Sequence, residues 1–73
     1  MNHLCEMITN SRRAYEAMTD EDILQAMDDH MHLRIDPVEE GIVEEDGTLS
    51  DREQAINHLL WADERELRLL GHY

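Results

Sequence analysis

The sequence predicts a mainly α, small single domain spanning residues 1–73, built from about three helices and a structured acidic connector over residues 36–50 that leaves room for a minimal β-hairpin. Three observations carry that prediction. Apolar residues recur at helical spacing in three stretches, helix-start signals precede two of them, and the only proline and two of the three glycines fall between 36 and 50. A chain this short buries only about 60% of the surface its unfolded form exposes. Its core therefore supplies only about 3–5 kcal/mol of net stability.

The first helix is expected over residues 4–18, where Leu4, Ile8, Ser11, Tyr15 and Met18 share one face with Met7 and Ala14 beside them. Glu16 stands four residues after Arg12, close enough to pair. Asn10 and Ser11 compete for backbone hydrogen bonds, so residues 1–10 are expected to fray. A second helix is expected over 20–31. Thr19 caps its free amides, and Asp20, Glu21 and Asp22 complement the positive end of its dipole. Ile23, Leu24, Met27 and Met31 mark its apolar face.

In the connector, Asp36 caps a short turn that begins with Pro37, Glu39 stands at the capping-box position, and Gly41 ends the turn left-handed. Ile42 and Val43 are expected to drop onto the core, and Asp46-Gly47 to form a tight turn. The third helix opens on a capping box, Ser50 with Glu53. It carries Ile56, Leu59, Leu60, Leu67 and Leu70 on one stripe and stops at Gly71. Asp63 falls on that stripe, where burial of a carboxylate is costly. Either the helix breaks near Ala62 and restarts, or Asp63 faces solvent beyond the core; one bent helix is the expectation.

Charge is the strongest compositional feature. Eighteen acidic residues face six arginines and no lysine, for a net charge of −12. Binding to nucleic acid needs cations that displace condensed counterions, and binding to anionic membranes needs them too, so neither is expected. A basic protein surface is the partner this balance fits, approached by electrostatic steering. The single cysteine, Cys5, excludes an internal disulfide and suits a reducing cytoplasm. No apolar run reaches the 18–20 or so residues a membrane helix requires.

Nothing in the chain spells out a catalytic site, and the sequence predicts neither an enzyme nor a cofactor. Paired acids such as Glu39-Glu40 and Glu44-Glu45 lie in a Gly- and Pro-bearing loop, where water screens them instead of raising a pKa for acid–base work. His30-x-His32 and His3-x-Cys5 offer metal donors, but helix positions i and i+2 point apart, so no metal ligands are assigned. Cys5 lacks a preorganised base and is expected to be a partly buried thiol. Trp61, about 100° off the apolar stripe, either packs on the middle segment or stands as an exposed anchor. The candidate partner-binding residues are Arg12, Arg13, Glu39, Glu40, Glu44, Glu45, Asp46 and Trp61, with Val38 and Ile42 as further apolar contacts.

The full run from Met1-Asn-His-Leu-Cys-Glu-Met-Ile-Thr-Asn-Ser-Arg-Arg13 through Leu69-Leu-Gly-His-Tyr73 resembles the small early proteins of lytic bacteriophages that bind and inhibit host bacterial RNA polymerase. The resemblance covers the whole chain and rests on no short motif. It implies binding to the two large polymerase subunits in the host cytoplasm. It also implies interference with promoter engagement by the σ-containing enzyme, by σ-factor displacement, and antitermination. Two other readings of the residues remain: an antitoxin-like or nucleic-acid-mimicking inhibitor of another basic enzyme, and a small metal-binding protein.

Overall fold

Each helix begins or ends where a side chain or a neighbouring amide satisfies its unpaired backbone groups. The structure, a computed structural model, describes residues 3–71 and contains α1 (His3–Glu16), α2 (Asp20–Asp29) and α3 (Arg52–Leu69). The Thr19 hydroxyl accepts the Asp22 amide at 3.2 Å and starts α2 as expected. Asp51, not Ser50, caps α3: its carboxylate accepts the Gln54 amide at 3.1 Å. The amides of Ser50 and Asp51 both donate to the Ile42 carbonyl, at 2.7 and 3.2 Å, which fixes the chain at the mouth of α3. Gly71, at φ +93°, closes the far end of α3 by donating to the Arg68 carbonyl at 3.1 Å.

α1 and α2 both pack on α3, which is the hub of the domain. The core cluster is Ile23 and Met27 from α2, Ile42 from the connector, and Ala55, Ile56, Leu59 and Leu60 from α3. Ile8, Tyr15 and Met18 cover it from the first segment, and Leu33, Ile35, Val43 and Leu49 from the connecting chain. The body measures 39 × 23 × 16 Å. Its thinnest dimension is little wider than one helix with side chains, about 10–12 Å, so the core is a single apolar layer.

Several expected boundaries shift. α2 ends at Asp29 and His30 turns extended, so Met31 leaves the apolar face and is 90% exposed. α1 stops at Glu16; Met18 still reaches the core from the turn that follows. Cys5 is exposed, because it falls off the Leu4–Ile8–Tyr15 face, and Ala14 is exposed as well. Leu70, beyond the last turn of α3, is exposed too. Of the stretch expected to fray, α1 is helical from His3 onward, while residues 1 and 2 lie outside the described residues. α3 runs unbroken through Asp63.

The connector has its own hydrogen-bonded order. Asp36 Oδ1 accepts the Val38 amide at 3.1 Å, and the Pro37 carbonyl accepts the amides of Ile42 and Val43 at 2.9 and 3.1 Å. Gly41 sits at φ +76°, a conformation that side chains with a Cβ disfavour. The minimal hairpin is one antiparallel bridge, Val43 with Leu49. Ile42, 2% exposed, is the pin that fixes the connector to the core. Ile42→Ala is expected to cost about 2–5 kcal/mol, comparable with the whole net stability of a domain this size. Urea denaturation should show the midpoint collapse; an unchanged midpoint would remove Ile42 from this role.

Candidate interaction surface and polar junction

Five of the eight candidate partner-binding residues sit on the connector. Glu39 and Glu40 lie in its first turn, and Glu44, Glu45 and Asp46 in its second; all are exposed. The second turn is rigidly built. The Glu44 amide donates to the Thr48 carbonyl at 2.8 Å, the Gly47 amide donates to the Glu44 carbonyl at 2.9 Å, and Gly47 takes φ +89°. Asp46 Oδ1 accepts both the Thr48 hydroxyl, at 2.7 Å, and the Thr48 amide, at 3.0 Å. Those two bonds, the hydroxyl first, hold the Asp46 carboxyl below its ordinary range.

Trp61 is 59% exposed on α3, with the His58 ring edge-on to it at 4.9 Å and 88°. It also forms one wall of a shallow groove with Leu33, Ile35, Ala62 and Arg65, so it both borders the middle segment and keeps most of its surface open. Leu33 and Ile35 continue into a second hollow lined by Pro37, Val38 and Val43. Val38 and Val43 in turn line a third with Glu44, Glu45 and Asp46. A run of shared apolar walls thus links Trp61 to the acidic turn. Ile42 contributes nothing outward: it is buried, so Val38 rather than Ile42 is the apolar contact this edge offers.

Arg12 and Arg13 lie elsewhere, on α1. Arg12 donates to Asn57 Oδ1 at 3.2 Å instead of pairing with Glu16, and both Arg12 and Glu16 line the cleft between α1 and the start of α3. The structure therefore joins the acidic turn and Trp61 but sets the two arginines apart. Arg13 is exposed in the last turn of α1.

The apolar stripe of α3 carries charge at two places, and both have partners. Near its middle, Asp63 Oδ1 lies 2.6 Å from His30 Nε2, and Asp63 Oδ2 accepts the Tyr15 hydroxyl at 2.5 Å. The His30 and Asp63 side chains are only 10% and 18% exposed. His30 Nδ1 accepts the His32 amide at 3.2 Å, which leaves Nε2 to carry the proton of the neutral ring and donate to Asp63. Burial, then the hydrogen bond to Asp63 and the negative charges of Asp63 and Glu66, push the Tyr15 hydroxyl well above its ordinary pKa. At the start of the stripe, Arg52 Nη1 meets Asp20 Oδ1 at 2.8 Å. Its Nη2 donates to the carbonyls of Tyr15 and Glu16, each at 3.2 Å, and to that of Met18. A cation thus sits at the negative end of α1.

The sequence marks Asp63 as an oddity on the stripe but not its partners, and no local motif singles out Arg52. Helical periodicity alone places Arg52, Ile56, Leu59 and Asp63 on one stripe, a signal that both charges face neighbouring elements.

Two outcomes follow for measurement. Tyr15→Phe leaves Asp63 one donor short and is expected to cost about 1.5–3 kcal/mol, the usual range for a hydrogen bond to a charged group; thermal or urea unfolding reads it directly. In the acidic turn, the Asp46 pKa is lower folded than unfolded, so its contribution to stability is present above the unfolded value, about 3.9, and fades as pH falls through the folded one. Carboxyl NMR titration should find Asp46 titrating below the ordinary aspartate value, and Thr48→Val should raise it towards that value.

Comparison of the chain with protein-family models, with curated proteins and with solved structures finds no match.

Proposed function

We propose that this protein is a bacteriophage transcription regulator that binds the large subunits of host bacterial RNA polymerase and inhibits promoter-dependent initiation, with antitermination as a second effect. The observation that carries the binding mode is the ordered acidic edge. Glu39, Glu40, Glu44, Glu45 and Asp46 are exposed on a connector pinned by Ile42, and shared apolar walls run from that edge to Trp61. The choice of polymerase as partner rests on the whole-chain resemblance.

The physical logic is electrostatic approach followed by apolar hold. A net charge of −12 steers the protein to a lysine- and arginine-rich surface. Enzymes that handle nucleic acid expose such surfaces where DNA or an acidic partner docks. A backbone already ordered in both turns has less freedom to lose on binding, which favours affinity. Val38 and Trp61 supply apolar contact, and aromatic side chains in particular dominate interface energetics. Occupation of a basic surface needed for σ-dependent promoter engagement would block initiation without any catalysis by this protein.

The test is affinity capture from a bacterial lysate with the wild-type chain beside two variants. Wild type is expected to retain the two large polymerase subunits, with retention falling as salt rises. Charge reversal at Glu39, Glu40, Glu44 and Glu45 should lower capture by about tenfold or more, with circular dichroism unchanged, and Trp61→Ala should weaken it further. Failure to retain polymerase sinks the proposal; recovery of a nuclease or toxin instead would select the acidic-mimic reading.

A further inference from the structure

The polar junction has a capacity that the partner-binding reading does not use. Asp63 and Glu66 stand three residues apart on α3, so their carboxylates share a face. His30, the residue that ends α2, brings its ring to the same place. One donor atom from each of His30, Asp63 and Glu66 lies within 4.8 Å of the other two. We propose that His30, Asp63 and Glu66 form a binding site for a zinc-class divalent cation, which would tie the end of α2 to the middle of α3.

The donor chemistry selects the class of ion. One imidazole nitrogen with two carboxylates suits zinc and neighbouring first-row ions; calcium takes six to eight oxygens, and magnesium demands an oxygen octahedron. Zinc bonds of about 2.0–2.2 Å to such ligands place tetrahedral donors roughly 3.4 Å apart, within reach of side-chain adjustment from the spacing seen. Three protein ligands leave a fourth position for water or an outside donor. The Tyr15 hydroxyl, bonded to Asp63 Oδ2, would orient that carboxylate from behind, the usual role of an outer partner to a metal ligand. The strongly negative field of the chain raises the local cation concentration.

Proton bookkeeping gives the site a signature. In the metal-free ring, Nε2 holds the proton and Nδ1 accepts the His32 amide. An ion bound at Nε2 needs that lone pair, so the proton must move to Nδ1 and the His32 amide must give up its acceptor. Zinc uptake by the neutral ring therefore swaps the tautomer of His30 without net proton release, and it releases one backbone amide two residues away.

The experiment uses the full chain in a non-chelating buffer, titrated with zinc chloride by calorimetry and by nitrogen-15 NMR of the histidine rings and backbone amides. Expected is one saturable ion per chain, a raised Tm, a swap of the protonated nitrogen in His30, and a shifted, faster-exchanging His32 amide. Glu66→Gln leaves the His30–Asp63 and Tyr15–Asp63 bonds in place, so it should keep the metal-free Tm and lower zinc affinity by about tenfold or more. Three results would overturn the proposal: no saturation, shifts confined to Cys5 or to histidines other than His30, or a Glu66→Gln variant that binds zinc as tightly as wild type. Loss of polymerase binding has no bearing on this site, and its failure has none on polymerase binding.

Discussion

The arrangement of the three helices depends on Asp63, a carboxylate on the inward stripe of α3. Largely removed from water, it requires hydrogen-bond donors, and it finds one on each of the other two segments: Tyr15 on α1 and His30 at the end of α2. No side-chain polar atom buried among the described residues lacks a partner. Arg52 plays the reciprocal part at the other end, drawing the carbonyl end of α1 and the acidic start of α2 onto α3. Between these two polar ties lies the apolar layer of Ile56, Leu59 and Leu60. The apolar contacts supply cohesion, which is non-directional. The polar ties supply register, because a misplaced helix would leave a charge unpaired, and in a domain with few kcal/mol to spare that penalty is decisive.

The same economy explains how an acidic connector stays ordered. Its carboxylates face water, where repulsion is screened, while Ile42 drops into the core and its carbonyl gathers the amides of Ser50 and Asp51 at the mouth of α3. The turns that carry these like charges are closed by backbone hydrogen bonds to the Pro37, Glu44 and Thr48 carbonyls. The connector is thereby a presented surface rather than a tether. In the proposed binding mode, the apolar walls that link it to Trp61 are the part of the contact that salt would not screen.

Much of the local structure was legible in the residues. Thr19 before three acids, Gly41 after Asp36-Pro37, Asp46-Gly47 and Gly71 each carry a backbone preference strong enough to act within one turn. Errors arose where two local signals competed. Ser50 and Asp51 are both good caps one residue apart, and it is Asp51 whose carboxylate takes the Gln54 amide, while the Ile42 carbonyl holds the amides of both. Met31 fits the α2 stripe by spacing, but His30 leaves the helix to meet Asp63, and the stripe ends with it. Of the candidate surface, the acids on the connector were visible as composition. Their link to Trp61 was not, since it runs through Leu33, Ile35, Val38 and Val43, residues with no distinctive pattern of their own.

What the sequence determined by itself is therefore short-range and compositional: three helices, the Thr19 cap of α2, a turn-rich acidic connector, and a net charge of −12. Those features follow from interactions within about four residues, or from sums over the chain, and neither requires knowledge of the fold. The tertiary structure alone decided what Asp63 and Arg52 pair with. Their partners lie 32 to 48 residues away, and periodicity reports which face a side chain occupies but not what stands opposite it. A carboxylate that read as a threat to the third helix is the residue that holds the other two against it.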